Sequence, residues 1–244
     1  MASSKKNQNQ HRSSKDFMLA SGSNVPFNYV ESFKSLRTNL NFIAATEKLN
    51  TFILTSAIPG EGKSNTAINL AISLAEDGKS VVVVDCDLRK PSLNRYLKLG
   101  HNFKGVTDIL TGNAVVEEAL IQFEDLGIHV LVAGAVPPNP SEMLSSEPMD
   151  KLVEDLKNAF DYVILDTPPV SVVTDAAILG RYADGAVLCV RSNFAPKETV
   201  LLAKERLTAV GVRILGVVLT GFDTKNESKS SAYSYTYEYE YKSN

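Results

Sequence analysis

Short apolar runs alternate with helical patterns along most of the chain. Runs at 51–55, 81–85, 128–132, 162–166, 186–190 and 214–219 are apolar and too short for helices, as expected of strands buried on both faces of a parallel sheet. Segments with helical period separate most of them. The clearest spans 65–77, where Ala67, Leu70, Ala71 and Leu74 fall at i, i+3, i+4 and i+7. Another covers 29–46, with Phe33, Leu36 and Leu40 on one face and Glu31, Lys34 and Arg37 on another. The alternation predicts an α/β fold with a doubly wound, mostly parallel sheet and ligands at the carboxyl ends of its strands. No internal repeat interrupts it. The flanks differ. Residues 1–26 are rich in Ser, Asn, Gln and Lys and are expected to be disordered, 27–222 form the domain, and 223–244 form a flexible Ser/Lys/Tyr tail.

Composition narrows the function classes. With 244 residues, 44% of them hydrophobic, the chain can bury a full core. A net charge of −3 argues against a general nucleic-acid binder. No apolar stretch is long enough to span a bilayer, and the polar, basic start lacks the apolar region of a signal peptide. Cys86 and Cys189 sit in apolar runs and read as buried thiols in a reducing compartment, while His11, His101 and His129 are scattered. A cytoplasmic protein is expected, with any membrane contact made through a partner.

The strongest chemistry lies where the first apolar run meets the first clear helix. Pro59-Gly60-Glu61-Gly62-Lys63-Ser64-Asn65 follows a strand and opens a helix, the context of a phosphate-binding loop. Gly60 and Gly62 allow a tight turn that aims backbone N–H groups at an anion, and the helix N-terminus adds its dipole. Lys63 supplies a point charge for the outer phosphates, and the Ser64 hydroxyl can hold Mg²⁺. The loop begins with Ala57 where the strict pattern has glycine.

Two other runs end in aspartate. Val81–Asp85 leads into Cys86 and Asp87, a pair of carboxylates two residues apart that share one side if the chain stays extended. The run 162–166 ends in Asp166, followed by Thr167-Pro168-Pro169, in the manner of a Walker B strand. A strand-end aspartate alone is commonly a cap, but three in register with a phosphate loop supply what phosphoryl transfer needs. Arg89 pairs with an aspartate, touches a phosphate or is a surface charge; sequence leaves all three open.

These residues resemble a known family. Pro59-Gly-Glu-Gly-Lys-Ser64, Val84-Asp-Cys-Asp-Leu-Arg-Lys-Pro91 and Ile164-Leu-Asp-Thr-Pro-Pro169, with the Pro-Asn-Pro segment in 134–144, resemble the bacterial tyrosine kinases. The similarity is greatest to the cytoplasmic kinases of Gram-positive capsule and exopolysaccharide operons, which descend from P-loop ATPases of deviant Walker type. The resemblance implies a protein-tyrosine kinase using ATP and Mg²⁺. In that reading Asp85 accepts the tyrosine proton, and Asp87 and Asp166 organise Mg²⁺ with Ser64; the division between Asp85 and Asp87 stays open.

The family resemblance also gives the tail a role. Tyr233, Tyr235, Tyr237, Tyr239 and Tyr241 alternate with Ser, Thr and Glu, and in the family such a cluster is autophosphorylated by a neighbouring subunit. The competing reading is a period-2 strand with an aromatic face. The family's Glu-x-x-Arg-x-x-Arg contact between ring-forming subunits corresponds here to Glu31, Lys34 and Arg37, with lysine in the middle. A homo-oligomeric ring, a transmembrane adaptor of the polysaccharide co-polymerase type, a cognate tyrosine phosphatase and control of polymer production and export are further implications. Thr220 stands where related ATPases often carry an asparagine that contacts adenine.

The rivals are a partition or division-site switch ATPase and a nucleotide-dependent regulatory scaffold. The first carries a signature lysine at the second loop position, where this chain has Ile58, and its membrane-binding members end in a basic amphipathic helix rather than a tyrosine ladder. The intact Lys63, Ser64, Asp85, Asp87 and Asp166 speak against an inert scaffold.

Overall fold

The computed structural model describes residues 18–22, 25–47, 49–100 and 103–222. Its helices are α1 (Phe27–Glu47), α2 (Lys63–Glu76), α3 (Leu93–Tyr96), α4 (Val106–Leu110), α5 (Val116–Ala119), α6 (Pro140–Leu144), α7 (Glu147–Ala159), α8 (Asp175–Leu179) and α9 (Lys197–Ala209). Its strands are β1 (Thr51–Ser56), β2 (Val81–Asp85), β3 (Leu120–Phe123), β4 (Ile128–Leu131), β5 (Tyr162–Asp166), β6 (Gly185–Arg191) and β7 (Ile214–Thr220). They form a single sheet in the order β3-β4-β2-β5-β1-β6-β7.

Every residue of β1, β2 and β5 is buried, because alternate side chains enter two different cores. Phe52, Leu54, Val81, Val83 and Ile164 face one core with α2 and Leu40 of α1. Ile53, Val82, Val84, Val163 and Leu165 face the other, with side chains of α7, α8 and α9. Helices on both faces make the sheet doubly wound, and all pairings except β3 with β4 are parallel.

The expected fold class is therefore the observed one, with two differences. The antiparallel β3 was not among the expected strands. It is four residues long at the sheet edge and only partly buried, so Leu-Ile-Gln-Phe carries no continuous apolar run, and the preceding Val-Glu-Glu-Ala reads as helix. The second difference lies inside the N-terminal segment expected to be disordered. Ala20 is buried and its N–H donates to Asn69 Oδ1 at 2.6 Å, while the Met18 carbonyl accepts from Tyr29 Oη and Asn69 Nδ2, each at 2.9 Å. Asn69 on α2 thus ties down residues 18–20. The C-terminal tail lies outside the described residues.

Candidate active site

The loop between β1 and α2 is braced from within the fold. Gly60 and Gly62 have φ of +89° and +85°, the left-handed region that glycine enters without strain. Glu61, fully buried, turns its carboxylate back under the loop, accepting the Ile58 N–H at 2.9 Å and the Arg191 N–H at 3.3 Å. Its side chain therefore holds the loop's shape. Thr220 Oγ1 donates to the Glu61 carbonyl at 2.8 Å and lies 3.3 Å from where a Cβ on residue 62 would sit. Thr220, which stands where related ATPases often carry an asparagine, is thus a second brace. Ala57 is buried in the core, so its methyl group is packed rather than obstructive. Asn65 turns towards α1, its Oδ1 accepting from Tyr29 Oη at 3.1 Å and from Asn69 Nδ2. Among the described residues no side chain caps the first turn of α2, and Gly62, Lys63 and Ser64 line a cavity of about 300 Å³.

Strand order brings the carboxylates to this loop. β5 lies between β2 and β1, and the register pairs Asp166 with Asp85 on one side and with Leu54 on the other. Lys63 Nζ then sits 3.4 Å from both Asp87 Oδ2 and Asp166 Oδ1, and 3.3 Å from Ser64 Oγ. Ser92 Oγ donates to Ser64 Oγ at 2.9 Å. Burial works against the Lys63 ammonium, but the charges of Asp166, Asp87 and Asp85 together hold its pKa above the ordinary value. Burial raises the pKa of Asp166, and Lys63 and Ser64 offset only part of that rise. Asp166 Oδ2 is buried with no hydrogen-bond partner among the described residues.

Asp85 departs from the expectation that both carboxylates of its pair face the phosphates. It is fully buried; its Oδ2 accepts the N–H groups of Ser92 and Leu93 at 3.0 Å, and its Oδ1 accepts that of Asp87 at 3.2 Å. The chain curls around Asp85 as soon as β2 ends, so the i, i+2 rule for extended chain no longer holds. Asp87 is the member of the pair that lines the cavity, steadied by the Lys90 N–H at 3.0 Å. Burial, then the Asp166 charge, pushes Asp85 up to about 7 against these N–H groups and Lys63.

Because this raised value lies above the ordinary 3.8, the metal-free folded chain holds a proton that the unfolded chain releases between about pH 4 and 7. That group's contribution to stability is accordingly lost as pH rises through this window. The melting temperature in a chelating buffer should fall between pH 5.5 and 8, and fall less steeply in Asp85→Asn. An equal slope in the two proteins would refute the assignment.

Arg89 resolves to the first of its three readings. Its Nε donates to Asp175 Oδ2 at 2.8 Å and its Nη2 to Asp175 Oδ1 at 3.1 Å, with Ser141 Oγ also donating to Asp175 Oδ1 at 2.8 Å. Asp175 is fully buried at the start of α8, so this fork ties the loop after β2 to α6 and α8. Neither Asp175 nor Ser141 was singled out from sequence; an acidic residue opening a helix was the one signal, and it does not reveal a distant partner. Asp175→Ala removes three hydrogen bonds to a buried carboxylate and should cost about 2 kcal/mol, or roughly 4–8 °C in melting temperature.

Of the residues expected at a subunit contact, Glu31 and Lys34 form a half-buried pair at 2.7 Å. Arg37 instead donates to the Ser73 carbonyl at 2.6 Å in the last turn of α2, where the helix dipole favours a cation. No group of three or more His, Cys, Asp or Glu side chains among the described residues could by itself hold a metal ion. No helix among them is long and apolar enough to cross a membrane.

Residues 53–199 match the family model described as AAA domain. The chain is 41% identical to the tyrosine-protein kinase YwqD of Bacillus subtilis, over 78% of this chain and 80% of that one. It is 36% identical to the tyrosine-protein kinase CpsD of Streptococcus agalactiae, over 78% and 82%. Among solved structures, the kinase domain of Escherichia coli tyrosine kinase ETK superposes with a TM-score of 0.77 at 34% identity, covering 85% of this chain and 80% of that one. With a buried lysine held between Asp166 at the end of β5 and Asp87 just beyond β2, at a phosphate-binding type of loop, and relatives of this closeness across most of its length, the chain belongs to the bacterial tyrosine kinases, protein-tyrosine kinases built on a P-loop fold.

Proposed function

We propose that the chain transfers the γ-phosphoryl group of ATP to tyrosines 233, 235, 237, 239 and 241 of a neighbouring copy's tail, and thereby regulates production and export of a capsular or extracellular polysaccharide. The carrying observation is the convergence of Lys63, Asp87 and Asp166 within 3.4 Å contacts at the mouth of the glycine loop. The loop backbone at 59–65 receives the phosphates, and Lys63 moves from its carboxylates to the β- and γ-oxygens. The base and ribose extend from Gly62 towards the groove of about 880 Å³ that Tyr29, Thr220 and Phe222 help to line. Val172, Pro168 and Pro169 give the cavity an apolar wall suited to a phenol ring.

Magnesium fits the residues present. Asp166 Oδ2 is an unsatisfied buried acceptor, Asp87 and Ser64 lie on the same lysine, and Mg²⁺ is ordinarily held by one or two carboxylates plus phosphates and water. Bound there, the ion neutralises charge on the phosphate oxygens. In the transfer itself the tyrosine oxygen bonds to the γ-phosphorus as the β–γ bridging bond breaks. The electron pair leaves with ADP, and the phenolic proton passes to a carboxylate of the Asp85–Asp87 turn. A loose transition state demands little of that acceptor, so positioning dominates.

The tail is well suited as substrate: its tyrosines lie beyond the domain's hydrophobic pattern, so each hydroxyl can be offered in turn without unfolding the domain. Five phosphates would add about −7 to −10 charges and expel it from an acidic site. The assembly is a homo-oligomeric ring in which Glu31 and Lys34, the more accessible members of the helix motif, meet a neighbouring subunit. A transmembrane adaptor of the co-polymerase type recruits the kinase to the inner face of the membrane and completes the site, and a cognate tyrosine phosphatase resets the tail.

The test is peptide mass spectrometry of the full chain after incubation with Mg²⁺ and ATP, with and without candidate adaptor tails. Phosphate on 233–241 supports the reading; ATP hydrolysis without tyrosine phosphate in every arm would overturn it in favour of a switch ATPase. Asp87→Asn should lower transfer by a hundredfold or more, on the order expected for a transition-state contact, with little change in melting temperature. Asp85→Asn should lower both, since it weakens the acceptor for three backbone N–H groups.

A further inference from the structure

The cavity beside Lys63 has a second chemical character at its rim. Lys90 and Arg95 both line it, both are exposed, and neither makes an ion pair among the described residues. Arg95 is steadied by the Tyr96 ring, 5.2 Å from its guanidinium carbon, whereas the neighbouring Arg89 is committed to Asp175. Two cations thus remain available on the approach to a site whose interior is acidic. An incoming phenol requires no such charge; its flanking residues can use it.

The tail is not uniform in this respect. Tyr239 stands between Glu238 and Glu240, Tyr237 and Tyr241 each have one adjacent glutamate, and Tyr233 and Tyr235 have none. In an extended peptide the neighbours of a residue project to the opposite side, so a ring inserted into the cavity sends its flanking side chains back to the rim.

We infer that Lys90 and Arg95 are specificity-determining residues that select tyrosines flanked by carboxylates, so that Tyr239 is phosphorylated first and Tyr233 and Tyr235 last. The inference rests on the proposal that the tail is the substrate. Both cations lie on the outer rim, so selection acts mainly on peptide binding and appears in KM rather than kcat. Each exposed charge pair contributes little and is screened by salt. Two pairs together therefore correspond to a preference of about 5- to 20-fold at low ionic strength, shrinking towards one at high salt.

The experiment uses the full chain as kinase and two synthetic peptides of residues 229–244, one native and one carrying Glu238→Gln and Glu240→Gln. Rates are compared at about 50 mM and about 500 mM salt, where the Debye length falls from roughly 14 Å to about 4 Å. The order of site filling on the chain's own tail is followed by mass spectrometry. A native-to-Gln ratio of about 5 or more at low salt, collapsing at high salt and in Lys90→Gln/Arg95→Gln, with Tyr239 filled first, is the expected result. Both peptides phosphorylated at equal rates would overturn the selection while leaving the tail as substrate. A ratio that survives in the double variant would overturn the assignment to Lys90 and Arg95. No phosphate on either peptide or on the chain's own tail would remove the tail reading itself.

Discussion

Replacing Lys63 by methionine should reduce tyrosine phosphate by at least about a thousandfold, the largest functional effect expected of any single change in this protein. Among the described residues the lysine is the one cation within 3.4 Å of both Asp87 and Asp166, and it is nearly enclosed. In the proposed mechanism its charge is needed on the phosphates during transfer, and in the folded chain it lies between the two carboxylates. Methionine retains most of the apolar bulk and removes only the charge. Buried Asp166 would then lose its main charge compensation, so the metal-free variant should also be less stable than the parent at pH 8. Lowering the pH to 6 should close part of that gap, because protonation relieves carboxylates whose folded pKa values burial has already raised. Mass spectrometry and melting curves at the two pH values check both parts. Transfer retained within tenfold would show that the loop backbone alone carries the phosphates.

The largest stability effect is expected at a position with no part in catalysis. Gly105 begins α4 and lies against the end of β4, where Val106 and Thr107 donate to the carbonyls of Val132 and Ala133 at 2.8 and 3.0 Å. A Cβ at 105 would overlap the Val132 carbonyl oxygen and the Gly134 nitrogen and come within 2.7 Å of the Ala133 carbonyl carbon. These are backbone atoms that cannot rotate away. The φ of −151° suits any residue, so the cost of Gly105→Ala is one of space. Forced separation of α4 from β4 breaks the two hydrogen bonds and opens the core around Val106, placing the loss at about 4 kcal/mol or more and roughly 8–16 °C in melting temperature. Urea unfolding measures it directly; a loss under about 1 kcal/mol would mean the loop yields more readily than its hydrogen bonds indicate.

Much of the architecture was legible in one dimension because central parallel strands are buried on both faces. Phe52–Leu54 and the valines of β2 could be apolar throughout without ambiguity, and the turn chemistry of Pro59 to Ser64 has few other uses. The edge strand β3 escaped because an edge needs only partial burial and leaves a weaker pattern. The carboxylates were legible as strand ends, but their division of labour was not. Asp85 and Asp87 look equivalent at a spacing of two, and only the turn of the chain after β2 encloses one within three backbone N–H groups and leaves the other facing the cavity.

What the chain determined by itself is local: which segments are strands and helices, where the glycine loop sits, and which strand ends carry acid. Each follows from side-chain type and from periods of two or 3.6, which act over a few residues. What only the tertiary structure decided is who meets whom. Insertion of β5 between β1 and β2 carries Asp166 to Lys63 across 103 positions of sequence. The same long-range packing turns Glu61 and Thr220 into braces of the loop and commits Arg89 to Asp175 and Arg37 to α2. A charged or polar side chain takes whichever partner the packed core brings within hydrogen-bond reach, and that core is a property of the whole sheet with its helices in place.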